Sequence, residues 1–562
     1  MKFGRVLFTL FVLIVSVSNI MAQVPDTVTV DPSIVNSLAD ATEDAANIGK
    51  VFKLVRGAVY LNDRFFTPID TTTFELIGEA EPSELPPASI RRSADPGGVN
   101  WAVLMSLYAK NVKLENVAFN GFTLLGEEHQ AAVSIATTGS KVMINKCLFQ
   151  GGQWGLLWLD SNPDEITVTN SIFTNTFTPR NGWIQGAPLS SWGAGAVKVK
   201  FENNTVLWIG SVVQVVAADS VFYDHNTLAY VNRAPFFPAS IKNQVVQNNI
   251  LYDVAMKGFV GERILANGDT LYKGDWSDDQ DLDSLVGVIN VKTDIADTSG
   301  QLLDNNDRIY RFDNNLRFTS QRIKDLHALV GAVEEPLMNA RTTTEMATFA
   351  KMGYENNIDE TLDPDFVMGI PDSLYDNFYG LMQAKRDELT ERVAPLCEWN
   401  FNGDQGSLGD INVWPLPIDL RPQAIGAYDV STDGYPLGDL NWIGEEVVDD
   451  WEAGLPYRYT GVEENTTQPV KFALAQNYPN PFNPSTSISY EISKPANISI
   501  IVYNINGQKV KTLVSNKQTA GINSVTWNAT NDFGEKVVSG VYFYQLKVDN
   551  DIVATRKMML IK

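Results

Sequence analysis

The sequence predicts an all-β chain in three parts: a solenoid of short strands, a partly helical flank behind it, and a small β-sandwich. Asparagines recur ahead of short apolar stretches at intervals of 29, 25, 34, 22 and 23 residues. Strings of alternating apolar and polar residues precede most of them. The final stretch, 471–562, alternates again but is broken by turn residues. Strand periodicity with a repeat of about 20–30 residues marks a solenoid, whereas closely spaced turns mark hairpin-linked strands.

Composition narrows the classes. Of 562 residues, 44% are hydrophobic and 20% charged, which excludes a wholly disordered chain. With 43 Lys and Arg against 67 Asp and Glu, the net charge is −24. A general nucleic-acid binder needs a basic surface and is excluded. Two cysteines, Cys147 and Cys397, cannot make a disulfide scaffold or a four-cysteine zinc site. Three histidines leave little for a metal centre, and no metal site is assigned.

The N-terminus has the form of an export signal. Lys2 and Arg5 precede an apolar run from Val6 to Val17, and small residues lead to Ala22. The run is shorter than the roughly 20 residues that span a bilayer. The expectation is a signal peptide over 1–22 and a mature chain without a transmembrane span.

The repeat begins in earnest at Asn116 and continues through Asn145, Asn170, Asn204, Asn226 and Asn249. Each coil is expected to carry three strands. A first strand (Ala132–Thr137, Gly155–Asp160, Ser211–Ala217) leads to a second that ends at the asparagine, and a third follows at once. Asparagine tolerates the left-handed conformation of a tight corner, and stacked asparagines can hydrogen-bond along the solenoid. The six are taken as one column. β-Branched alternation excludes helical repeats, and no regular leucine framework is present.

On these residues, from about Ile48 to Phe318, the chain resembles the right-handed parallel β-helix, or pectin-lyase-like, superfamily. Residues 23–320 are assigned to it, with opening coils at Val51–Tyr60 and Phe74–Gly78 and an acidic insertion over 262–308. That insertion resembles a calcium loop only loosely, because Gln280 stands where an EF-hand needs glycine. Beyond Phe318, Ile323–Val333, Thr344–Met352 and Ser373–Val393 favour helix. Residues 321–457 are therefore expected to be a helical flank and extended tail over the last coil. The string Asp433-Gly434-Tyr435-Pro436-Leu437-Gly438-Asp439-Leu440-Asn441-Trp442 resembles a tail element of secreted bacterial β-helix proteins. It reads as an extended segment packed along the solenoid. Residues 458–470 are a polar linker.

Residues 471–562 contain strands at Ser487–Ile492, Asn497–Asn504, Asn523–Trp527, Val541–Val548 and Thr555–Ile561, with turns at Asn506-Gly507, Thr519–Gly521 and Ser539-Gly540. This predicts an immunoglobulin-like sandwich. The opening Asn477-Tyr478-Pro479-Asn480-Pro481-Phe482-Asn483-Pro484-Ser485-Thr486, the Gly540-Val541-Tyr542 string and the basic-apolar close resemble the type A C-terminal sorting domain of type IX secretion. The resemblance implies a Bacteroidota-like or related Gram-negative source, Sec export, passage through the outer membrane, and secretion or attachment at the cell surface. A plain carbohydrate-binding or spacer sandwich is the alternative.

In pectin-lyase-like enzymes, the first-strand face makes the substrate groove. For a lyase, the resemblance implies a cation, often calcium, on a uronate carboxylate and an Arg or Lys base. For a hydrolase, it implies paired Asp residues. Alternation places Val133, Ile135, Leu157, Leu159, Val213 and Val215 inward. It places Ser134, Trp158 with Asp160, Gln185 and Gln214 outward, followed by Phe236 or Phe237. That row is polar-neutral and aromatic, and it lacks the expected Asp cluster. Loop charges available to it are Glu127, Glu128, His129, Arg180, Arg233, Asp253 and Lys257. Arg180 and Arg233 are the candidate catalytic bases, although a guanidinium stays protonated unless strongly perturbed. Trp154, Trp158, Trp183, Trp192 and Trp208 fall close together, and an exposed indole offers a flat face to a sugar ring. His225 reads as a corner residue and Cys147 as a buried thiol.

The expected function is engagement of extended polysaccharide by an exported, monomeric protein. Alternatives are a polysaccharide lyase or glycoside hydrolase on uronate-containing glycans, and a non-catalytic adhesin or surface-layer component.

Overall fold

In the computed structural model, the residues described are 26–83, 85–93, 103–121, 131–151, 155–176, 187–191, 193–209, 213–214, 217–231, 236, 240–254, 304–330, 337, 351–368, 418–424, 427–428, 431–457, 473–474, 482, 484–492, 496–504, 508–518, 521–548 and 551–560. The chain divides into two compact units, Met1–Tyr457 and Arg458–Lys562. The signal-like segment 1–22, the linker 458–470 and almost all of the acidic insertion lie outside the described residues.

The first unit is a parallel β-helix. Its described strands form three all-parallel sheets, one for each strand position in a coil, and one antiparallel pair, Phe366–Met368 with Asp419–Pro422. The first-strand sheet runs through Met105–Leu107, Val133–Ile135, Gly155–Leu159, Ala187–Ser191 and Val213–Gln214. The second-strand sheet has eleven described strands, from Thr27–Thr29 to Met352–Glu355, and the third-strand sheet has ten, from Val59–Asn62 to Ile358–Asp359. Alternation makes the second strands: Val112, Val142, Ile166, Val199 and Val221 pair in one inward column, with Leu114, Ile144, Val168, Phe201 and Tyr223 in another. All ten are buried.

In the third strands, Phe119, Phe149 and Phe173 pair in register. Their rings stack face to face at 4.9 and 5.1 Å, matching the roughly 4.8 Å repeat of neighbouring strands. Each such pair adds about 0.5–1.5 kcal/mol beyond the stabilisation from buried area.

The corner between second and third strands departs from the expected single column. The left-handed residues are Asn116, Lys146, Asn170, Asn203, His225, Asn248, Asn314 and Asn356. The six asparagines of the repeat occupy three positions: Asn145 ends a second strand, Asn116 and Asn170 are left-handed, and Asn204, Asn226 and Asn249 come one residue later. This later position continues at Asn315 and Asn357, forming a buried amide ladder. The Asn204, Asn226, Asn249 and Asn315 amides each donate to the next asparagine's Oδ1, at 3.2, 2.9, 2.9 and 3.0 Å.

The solenoid also continues past residue 320. Met352–Glu355 and Ile358–Asp359 add a coil, joined in parallel to Ile309–Asp313 and Leu316–Phe318. Met352 is thus a strand residue, not the end of a helix. The expected flank helix forms over Gln321–Val330, and a second helix over Glu445–Glu452. Residues 373–393 lie outside the described residues.

The second unit is an antiparallel sandwich. One sheet contains Ala473–Leu474, Thr486–Ile492 and Gly521–Trp527. The other contains Lys509–Gln518, Ala496–Asn504, Gly540–Val548 and Asp551–Leu560. Lys509–Gln518 was not among the expected strands, because this edge strand is largely polar and carries lysines. Trp527 centres the core, with Phe482 and Tyr542 at ring distances of 5.5 and 5.2 Å.

Candidate functional site

The first-strand register aligns Ser106, Ser134, Trp158, Ser190 and Gln214 in one row. Ser190 therefore takes the place expected of Gln185, which lies outside the described residues with Arg180 and Arg233. The Gln214 side chain is also undescribed, as are those of Trp154, Trp183, Trp192 and Trp208. Ser134 and Ser190 are fully buried, so Ser134 cannot meet a substrate as expected. Its hydroxyl instead donates to Asp160.

Trp158 is half-buried and Asp160 exposed. The Trp158 indole Nε1–H donates to Asp160 Oδ1 at 2.7 Å. Ser134, Trp158 and Asp160 thus form one cluster in which a carboxylate fixes the indole. Calcium needs six to eight oxygen ligands. The described row supplies one carboxylate, already accepting two hydrogen bonds, and does not fit that ion. Among the described residues, no group of three or more His, Cys, Asp or Glu side chains could hold a metal.

Two other expected positions are corrected. Phe236 is buried, with its ring 4.9 Å from that of Tyr223, so it belongs to the core and not to the outward row. Asp253 is fully buried, not a loop charge. It accepts the Ser320 backbone N–H at 2.6 Å and the Ser320 hydroxyl at 2.8 Å, at the start of the Gln321–Val330 helix.

The strongest polar constellation lies at the left-handed corner and was not expected. Residues 431–452 return across the corner column as a strap. The Thr432 and Leu440 N–H groups donate to Asn248 Oδ1 at 2.8 Å and Asn203 Oδ1 at 2.5 Å. Gly438 N–H donates to the Asn248 carbonyl at 2.8 Å, and Asp439 N–H to Thr227 Oγ1 at 2.9 Å. Thr205 Oγ1 donates to Asp439 Oδ2 at 2.5 Å and accepts the Trp442 indole N–H at 2.7 Å. Asn170 donates to Glu452 at 2.7 Å. Gly438 is required twice over: its φ is +83°, and a Cβ there would stand 2.6 Å from Thr227 Oγ1.

His225 faces Asp433 across this contact, with Nε2 2.9 Å from Asp433 Oδ2 and 3.9 Å from Asp224 Oδ1. The Trp451 indole donates to the same Asp433 oxygen at 3.0 Å. Burial disfavours the charged imidazole, but the Asp433 hydrogen bond and the Asp224 charge outweigh it and raise the His225 pKa. Burial works against the Asp433 carboxylate too, yet His225 brings its pKa down to about 2. Burial carries Asp439 up to about 6 and also raises Asp224. His225 is fully enclosed, so this is a structural pair without access for substrate. Sequence signals for it existed: a histidine interrupts an asparagine column, and the Asp433–Trp442 string was expected to pack along the solenoid. Cys147 is buried and free, its thiol pushed up to about 12 by burial.

Residues 480–551 match the family described as the FlgD Ig-like domain. No curated protein matches the chain. Among solved structures, the chain is similar over 18% of its length to dimeric latent PorU from Porphyromonas gingivalis, at 18% identity and a TM-score of 0.15. It is similar over 24% of its length to PorZ of the same organism, described as an essential bacterial surface component of the type-IX secretion system, at 17% identity and a TM-score of 0.12. The matches span only 10% and 14% of those two chains, and likeness at this level carries no functional argument. Among the described residues, no helix is long and apolar enough to cross a membrane. The chain is therefore a parallel β-helix joined to an immunoglobulin-like module.

Proposed function

We propose that this protein is exported to the cell surface or medium through the Sec and type IX machinery, and that its solenoid binds an extended polysaccharide beside Trp158. The observation that carries the binding reading is the Trp158–Asp160 pair. An indole held by an exposed carboxylate combines a flat apolar face with acceptors for sugar hydroxyls. The solenoid side adds length, since coils repeat at a fixed spacing along an extended chain. The export reading rests on the signal-like N-terminus, the sorting-domain motifs and the Ig-like match at 480–551. Phe482, within the opening motif, is buried against Trp527 and gives that motif a place in the module.

The test of binding is affinity electrophoresis of the full chain through gels containing a panel of neutral and uronate polysaccharides. Retardation by one glycan, lost in Trp158→Ala and weakened in Asp160→Asn, is expected. Equal mobility of wild type and Trp158→Ala in every gel would overturn the assignment. Export is tested separately: deleting 471–562 should hold the protein in the periplasm.

A further inference from the structure

We propose that the strap over residues 431–452 is a proton-coupled latch, closed in mildly acidic surroundings and loosened as the medium turns alkaline. The geometry carries it. The strap crosses four consecutive corner residues, Asn170, Asn203, His225 and Asn248, and hydrogen-bonds to three of them and to Thr205 and Thr227 beside them. At the fourth, the contact is the His225–Asp433 pair. The coils ending at Asn170, Asn203 and His225 also carry Trp158, Ser190 and Gln214, so the latch braces the coils of the candidate row. The inference does not depend on what that row binds.

The groups facing His225 are Asp224 on its own strand, Asp433 on the strap, and the rings of Tyr435 and Trp451. Asp439 is the other buried titratable group in the contact, and Glu452 meets Asn170. A raised His225 contributes stability that is complete below its unfolded pKa and lost as pH rises through the folded one. Asp439 acts in the same direction: its contribution is complete below 3.8 and lost as pH rises through about 6. The raised Asp224 adds to the same trend. Asp433 acts oppositely, but only as pH falls from 3.8 through about 2. Between these limits, acid tightens the strap and alkali loosens it.

The test is amide hydrogen exchange on the full chain, corrected for intrinsic rates, at about pH 5.5 and about pH 8.5. The reporters are the Thr432, Gly438, Asp439 and Leu440 N–H groups, all donated into the corner. Severalfold higher protection at the acidic pH is expected; Asp439 alone, carried from 3.8 to about 6, accounts for about fourfold, and His225 adds to it. Asn226 and Asn249 N–H, inside the ladder, should not change. His225→Asn installs the residue most common in that column and should fold, with a reduced pH ratio because only Asp439 and Asp224 still titrate there; Asp433→Asn should lower strap protection at both pH values. A pH-independent strap in the wild type, or an undiminished ratio in His225→Asn, would overturn the latch.

Discussion

The early and late coils solve the same corner differently. At the position after the left-handed residue, the late coils carry Asn204, Asn226, Asn249, Asn315 and Asn357, whereas the early ones carry Val117, Cys147 and Ser171. In the late coils, each asparagine donates to a carbonyl of the preceding coil and accepts a backbone N–H, as when Asn226 reaches the Phe201 carbonyl at 2.7 Å and receives Asn204 N–H at 3.0 Å. In the early coils, cohesion comes from the Phe119–Phe149–Phe173 stack inside the third sheet. Ser171 is the hinge between the two. It receives Cys147 N–H at 3.1 Å as a ladder asparagine would, but its shorter side chain donates to the Thr169 carbonyl of its own coil at 2.7 Å. A buried corner thus needs its backbone groups satisfied, and several residue types can do it.

Three substitutions can break or sharpen this contrast. Asn226→Leu keeps the number of side-chain heavy atoms but removes a ladder rung, and takes a partner from the buried Asn204 N–H and Phe201 carbonyl of the preceding coil. At about 1–3 kcal/mol for each of the two, a loss of about 2–6 kcal/mol is expected in chemical denaturation. Phe149→Leu interrupts the aromatic stack but leaves no polar group stranded, and should cost about 1–3 kcal/mol. Ser171→Asn should extend the ladder into the early coils with a change below about 1 kcal/mol, because Asn204 Oδ1 already receives Ser171 N–H at 2.9 Å. A Phe149→Leu cost exceeding that of Asn226→Leu would remove the ladder from its central place in the late coils.

Local periodicity made much of this legible. The second strands alternate cleanly, so their strand character could be read directly, and the five expected sandwich strands lie within a few residues of observed ones. The asparagine register was not legible. Asn145, Asn170 and Asn204 precede apolar runs alike, and only the backbone distinguishes the strand end, the left-handed residue and the ladder. The candidate row was half legible. Alternation predicts which side a residue faces, and Ser134 does face outward, but it cannot predict burial there. The strap's place was legible, since the Asp433–Trp442 string reads as an extended segment packed along the solenoid, but its partners were not. Asp433 and His225 are 208 residues apart, and no local pattern joins them.

The most direct test of the binding account takes the glycan that retards the full chain and asks whether it is consumed. Reducing ends and the ultraviolet absorbance of unsaturated product would be followed over hours, with calcium and with chelator. The account predicts retention without turnover, and loss of retention in Trp158→Ala. Turnover that survives Trp158→Ala and disappears in Arg180→Ala or Arg233→Ala would contradict it and make the solenoid a polysaccharide lyase or hydrolase.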